Sequence, residues 1–182
     1  MKIAELISLP IPTRDGIFIA SYSKAGLAAL SFPSGRKLRA TNAVSTRVRR
    51  WHRQTATALK SVLAGHAPEV LPPLDLSAGT EFQQRVWEAM RRLGCGETCS
   101  YGELAGAIGK PGASRAVGSA CGANPIPVLV PCHRVLAAHR RLGGFSSGLD
   151  WKRKLLAREG IRFQPGGDCQ SHGQEGSRIP CA

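Results

Sequence analysis

Hydrophobic positions along this chain follow two different periods. In residues 2–9, 16–23 and 27–33 they form short runs, among them "GIFIASYS" and "LAALSF", bounded by Gly or Pro. Runs of that length and flanking predict strands. "KAG" (Lys24 to Gly26) predicts a hairpin turn between the last two. From Val48 the period lengthens. Val48, Trp51, Thr55, Leu59 and Val62 fall on one helical face, and Gly65 stands where a helix would stop. Arg47, Arg49, Arg50, Arg53 and Lys60 lie mainly off that face. Residues 1–65 therefore predict a small antiparallel sheet with one helix.

Residues 66–79, "HAPEVLPPLDLSAG", are a proline-punctuated connector. Beyond it, Thr80 and Gln83 have capping-box spacing, in which side chain and backbone satisfy each other's free groups at a helix start. Phe82, Val86, Met90 and Leu93 give that helix a buried stripe, and Gly94 is expected to end it. Ser100 and Glu103 repeat the box, and the short helix they open is expected to stop at Gly109. A further helix, "SRAVGSACGA", is expected with Ser114 as its cap. Two short helices across a tight Gly/Pro turn read as a helix-turn-helix. "NPIPVLVPCHRVL" reads as extended, ending a buried strand at Cys132. "DWKRKLLAREG" predicts a last helix capped by Asp150, with Trp151, Leu155 and Leu156 inward. Residues 164–182 are polar and Gly-rich, the composition of a disordered tail. The fold class is α+β: an N-terminal unit (1–65), a linker (66–79), a second unit (80–163) and the tail.

Composition narrows the function. With 42% hydrophobic and 20% charged residues among 182, the chain can bury a core. The net charge of +13 points to an anionic partner, nucleic acid first, against the alternative of a plain basic surface. Residues 1–79 hold 11 Lys/Arg and 4 Asp/Glu, and residues 80–182 hold 14 and 8, so both parts are basic. No apolar run is long enough to span a membrane. Glu5, Pro10 and Pro12 break the first apolar stretch, which does not read as a signal peptide, so a cytoplasmic site of action is expected. The six cysteines are then expected as reduced thiols.

The chemistry centres on Cys132 and His133. A thiol is mostly protonated at neutral pH and its thiolate is the nucleophile, so a base beside it matters. A packed, inert cysteine is the competing reading. Adjacent residues on a regular strand face opposite ways, so the pair needs a bend at Pro131–Cys132 or a bridging water. A carboxylate would orient the imidazole. Glu159 is the first candidate and Glu103 the second, with helix capping as the latter's other role. For metals, "CGETC" (Cys95, Cys99) and "CQSH" (Cys169, His172) have ligand-like spacing but no second pair, so no metal and no cofactor is expected.

"SYGELA…IGKPGASRAVGSACGANPIPVLVPCHRV" closely resembles the O6-alkylguanine-DNA alkyltransferases, the suicide DNA-repair family. The likeness reaches back to "FQQRVWEAMRRLG" and forward to "GGFSSG" and "KLLAREG", dense over residues 80–163. Residues 1–79 match in outline, which implies a ribonuclease H-like N-terminal domain before a winged helix-turn-helix. The resemblance implies that an alkyl group passes from guanine O6, and in some members thymine O4, onto Cys132, once per molecule. It gives His133 the role of base through a water, Glu159 the carboxylate behind it, and Asn124 the brace of the bend. Arg115, beside Ser114 at the start of the recognition helix, matches the arginine that fills the stack when the base is flipped. Tyr101 matches the residue that turns the nucleotide and meets the guanine, and Val135, Phe145 and Ser146 match pocket positions. Members bind duplex DNA from the minor groove, which suits a scan independent of sequence. A monomer is expected.

The chain departs from the family at several points. Phe145 stands where tyrosine is common, Ser147 where glycine is common, and Cys121 where an apolar residue is usual. His139 and Arg140 replace a turn pair ending in glycine, and a positive φ would be strained there. Three rivals remain: a lesion sensor of the same fold that transfers nothing, against which Cys132 itself speaks; a winged-helix regulator of transcription; and a thiol hydrolase.

Overall fold

The computed structural model describes residues 6–35 and 44–163, together with the backbone of Cys169 and Gln170. Three strands, β1 (Ile7–Thr13), β2 (Gly16–Tyr22) and β3 (Leu27–Ser31), form an antiparallel sheet in the order β1-β2-β3. The first strand runs further than its sequence suggests. Pro10 and Pro12 pair with Ile19 and Ile17 instead of breaking the strand. Residues two apart send their N–H to the same side. In an edge strand that side faces no partner, so the two missing donors go unneeded. The hairpin turns at Arg14–Asp15, where the Thr13 hydroxyl donates to the Gly16 carbonyl at 2.7 Å and accepts from the Asp15 N–H. The Lys24–Gly26 turn joins β2 to β3 as expected, closed by the Ser23 N–H on the Gly26 carbonyl.

Helix α1 (Thr46–Leu63) starts on a Ser45 cap and lays Val48, Trp51, Thr55, Leu59 and Val62 against the sheet. The connector is not loose. Leu27 donates to Pro73 and accepts from Asp75, each at 2.8 Å, so the chain after α1 runs alongside β3.

Helix α2 (Glu81–Arg91) begins on the Thr80–Gln83 box and ends three residues short of Gly94, the expected stop. Its buried face includes Trp87, whose indole N–H donates to the Ala120 carbonyl at 2.8 Å. A short strand β4 (Cys99–Ser100) leads into α3 (Tyr101–Ala107), opened by the Ser100–Glu103 box. Then α4 (Ser114–Gly122) completes the helix pair. Ser114 is not its cap. Ala113 holds the cap position and no side chain closes it, so Ser114 is the first helical residue.

The segment after α4 is not the expected strand. Asn124 to Pro131 turns tightly, with Val128 at φ 75°, and Cys132–Arg134 form a single 3-10 turn. Only Val135–Leu136 (β5) is extended, pairing in parallel with β4. Helix α5 (Leu149–Arg158) begins after Gly148, whose φ of 92° reverses the chain. Asp150 lies in its first turn and pairs with Arg153, so it does not cap the helix. A short strand β6 (Arg162–Phe163), at the end of the second unit, pairs antiparallel with β7 (Cys169–Gln170), which lies inside the region expected to be a disordered tail. The rest of that tail lies outside the described residues.

One hydrophobic core runs through both parts. Phe18 and Phe32 of the sheet side meet Trp151 of α5 at 5.7 and 4.8 Å between centroids, and Phe32 meets Phe145 at 5.9 Å. Such pairs contribute roughly 0.5–1.5 kcal/mol each beyond their buried area. Asp15 in the first hairpin takes both guanidinium nitrogens of Arg158, and the Lys154 ammonium as well. The sheet thus backs the loop and helix that carry the candidate site. Among the described residues no helix is long and apolar enough to cross a membrane.

Candidate active site

The bend at Cys132 has a visible cause. The Asn124 amide N–H donates to the Val130 carbonyl at 2.8 Å, and its carbonyl oxygen accepts from the Ile126 N–H at 3.0 Å. One side chain thereby ties both ends of the Pro125–Val130 turn. A 3-10 turn follows, so Cys132 and His133 do not alternate across a sheet as they would on a regular strand. Cys132 is 5% exposed and His133 is fully buried.

His133 Nε2 lies 3.0 Å from Glu159 Oε1. A carboxylate only accepts, so Nε2 carries the proton and Nδ1 presents its lone pair. Nδ1 is buried and has no hydrogen-bond partner among the described residues. Glu159 is the C-cap of α5, and its side chain is 1% exposed. Arg134 holds it from the other side, Nε at 3.0 Å and Nη2 at 2.8 Å, while Arg134 Nη1 donates to the Leu93 carbonyl at 2.6 Å. These donors hold the Glu159 carboxyl down at about 2, against the cost of its burial. Glu103, the second candidate, is engaged in the Ser100 capping box.

Burial pushes the Cys132 thiol above its ordinary value. The Asn124 amide, the Lys152 ammonium and the backbone N–H groups of Cys132 and His133 pull the other way. Burial likewise lowers His133, although Glu159 opposes it. At rest the pair is a neutral thiol beside a neutral imidazole. Lys152 is fully buried; its ammonium donates to the Val135 carbonyl at 2.7 Å and to Gly144 at 3.3 Å, and burial lowers it to about 8.

A cavity of about 150 Å³ opens beside the sulfur, lined by Tyr101, Gly118, Cys121, Cys132, Phe145 and Ser146 among others. Three of the four expected pocket residues are therefore brought together. Val135 does not line this cavity: it is fully buried in β5, where its carbonyl accepts from Lys152. Gly143, at φ 65°, is a tight spot, since a Cβ would sit 3.1 Å from the Tyr101 hydroxyl. Cys121 lines the cavity, with its sulfur 3.5 Å from Met90 Sδ. Phe145 packs edge-on against Phe32. His139 and Arg140 do adopt positive φ, 57° and 54°, so the loop accepts the strain that their types carry.

Arg115 is exposed on the first turn of α4, and Ser114 beside it is half-buried. The rest of the outer face of α4 is small, Ala116, Ser119 and Gly122, while Val117, Ala120 and Cys121 point inward. Sequence reasoning missed Arg134 and Lys152. Arg134 stood in the quoted motif without a role. Lys152 lies three and four residues before Leu155 and Leu156, on the inward face, which was the available signal.

A buried thiol thus lines a small open cavity, the next residue is an imidazole held by a buried carboxylate, and a helix pair adjoins them. Residues 81–161 match the family model for the DNA binding domain of 6-O-methylguanine DNA methyltransferase. A methylated-DNA–protein-cysteine methyltransferase of Mycobacterium bovis is 52% identical over 104 residues, 57% of this chain and 62% of that protein. The matched stretch thus spans less than two thirds of that relative's length. The Mycobacterium tuberculosis OGT solved in complex with DNA aligns at 39% identity and TM-score 0.66, covering 82% of this chain and 90% of that one. The O6-methylguanine-DNA methyltransferase of Pyrococcus kodakaraensis aligns at 26% and TM-score 0.57, covering 86% and all of its chain. The chain belongs to the O6-methylguanine-DNA methyltransferase family.

Proposed function

We propose that this protein repairs DNA by moving the alkyl group of O6-alkylguanine onto Cys132, once per molecule. The observation that carries the reading is Cys132 lining a small cavity of about 150 Å³, with the next residue, His133, held by Glu159 at 3.0 Å. The Cys132 sulfur attacks the alkyl carbon, the carbon–oxygen bond breaks, and its electron pair stays on guanine. The thiol proton passes to His133 through a water at Nδ1, and Glu159 steadies the imidazolium. Asn124 and Lys152 stabilise the thiolate meanwhile. A backbone N–H at Ser146 meets the developing charge on guanine, and Tyr101 and Phe145 flank the base. No cofactor takes part. The thioether has no way back, so transfer ends the molecule's service.

The base reaches the cavity flipped from the duplex, at a cost of a few kcal/mol of unstacking. Arg115 fills the gap from the minor groove, and the small residues on the outer face of α4 allow close approach. The protein acts as a monomer in the cytoplasm, on the nucleoid if its source is bacterial.

The test is a mass spectrum after incubation with a duplex carrying one O6-methylguanine. One added methyl on the Cys132 peptide, with equal loss of lesion, is expected, and Cys132→Ala binds the duplex but gains nothing. Tight lesion binding with no added mass on the wild-type protein would sink the reading and leave a damage sensor.

A further inference from the structure

From Gly16 to Pro68 the chain has nine Lys or Arg and no Asp or Glu. Five of the nine are on α1, and the fold gathers them. Arg49, Arg50, Arg53 and Lys60 are exposed and recur at three- and four-residue spacing, opposite the face buried on the sheet. They make one stripe, about 16 Å long from Arg49 to Lys60 at the helical rise. Arg47 flanks it, 6.0 Å above the Trp51 ring. Among the described residues none of these five has a carboxylate partner.

The stripe does not stop with the helix. Lys60 lines a broad cavity of about 880 Å³ with Arg14, Asp15 and Arg158. Asp15 is already taken by Arg158 and Lys154, so the basin stays cationic. The placement also runs against what helix stability alone would favour. The first turn of α1 has no acidic residue and holds Arg47 and Arg49, at the end where the helix dipole disfavours positive charge. A stripe that is solvated and nothing more gains nothing from that arrangement.

We propose that the outer face of α1, continued by Arg14 and Arg158, is a second phosphate-binding surface that engages duplex DNA apart from the helix-turn-helix. This rests on the proposed reading of the protein as a DNA-repair alkyltransferase. The phosphates belong either to the flank of the duplex under repair or to a further segment of DNA. The stripe reads no sequence; it supplies affinity and retention through counterion release.

The test compares wild type with R49A/R50A/R53A/K60A in salt titrations of lesion-free duplex binding. Alanine keeps an exposed helix surface helical. The slope of log K against log salt should fall by about 0.9 for each phosphate left without its cation, so by roughly 3 to 4. Methyl transfer from free O6-methylguanine base, which needs no DNA binding, should be unchanged. The matched Arg→Lys triple variant should keep the wild-type slope, because counterion release counts charges. A fall on a duplex just long enough for the helix-turn-helix assigns the flanking phosphates. A fall only on a duplex several turns longer assigns a further segment. An unchanged slope on both, even if the stripe then captures an acidic protein, overturns the proposal. If wild type itself neither binds duplex nor transfers methyl, it is the functional reading that fails.

Discussion

Replacing Glu159 by glutamine removes one charge and little volume from a buried carboxylate held by several donors. The carboxylate accepts from His133 and, at two atoms, from Arg134, with 1% of its side chain exposed. Its pKa falls from 4.5 to about 2. At 1.36 kcal/mol per unit, that is about 3 kcal/mol of stability, present in full above the unfolded value and lost as pH drops toward the folded one. The amide would also turn a donor toward the Arg134 guanidinium and leave that cation buried and unpaired, a change that costs about 3–5 kcal/mol in general. Urea unfolding of both proteins across pH measures the difference. Near neutral pH the wild type should be more stable by at least about 3 kcal/mol. The gap should narrow steadily between about pH 5 and pH 2, as the wild-type carboxyl takes up its proton. Asp15, also held at about 2, titrates in both proteins and drops out of the difference. A gap equally wide at both ends of that range would refute the assignment of the stability to the Glu159 charge. The same substitution should slow alkyl transfer, because Glu159 is the group that raises the basicity of His133.

Two further outcomes follow from other parts of the molecule. Arg115→Ala should slow transfer from duplex DNA far more than transfer from the free modified base, measured as single-turnover rates; equal slowing on both substrates would remove Arg115 from base flipping. Gly65→Ala should lower the unfolding free energy by more than the roughly 1–2 kcal/mol of a left-handed residue, because Gly65 sits at φ 85° and a Cβ there would lie 2.1 Å from the Arg158 carbonyl at the end of α5; thermal melting at wild-type level would show that the α1–α5 junction yields.

What could be read from the sequence follows how local each cause is. The two capping boxes are four-residue devices, and both form where Thr80–Gln83 and Ser100–Glu103 predicted them. The α1 stripe is set by period alone and was equally legible. Pro10 and Pro12 misled, because whether a proline breaks a strand depends on whether that strand is an edge, and an edge is a property of the finished sheet. The segment from Asn124 to Cys132 misled for a similar reason. Its apolar run fits a buried strand, yet Asn124 bonds across six residues to Val130 and folds it into a turn. The cysteine, the histidine and the carboxylate behind them could be named in advance. Arg134 and Lys152 could not be given roles, since a buried cation is recognised by its acceptors, and these lie at Leu93, Glu159, Val135 and Gly144.

Three buried thiols lie among the described residues, and burial raises all of them, Cys99 and Cys121 to about 12. Cys132 is thus not set apart by an unusually acidic resting state. It differs in what surrounds the sulfur. Cys99 and Cys121 feel mainly the charges of Glu103 and of other thiols, all of which raise them further; Lys152 alone offsets this at Cys121. Cys132 has an amide, an ammonium and two backbone N–H groups on the side of the thiolate, and a base next in the chain. Such a site keeps the sulfur protonated while the cavity waits, and oxidants attack thiolates in preference to thiols. On the proposed function, the thiolate forms only when the proton has moved to His133 and an electrophilic carbon stands ready. A protein that reacts once, as proposed, wastes fewer molecules with a nucleophile made on demand than with one that is always charged.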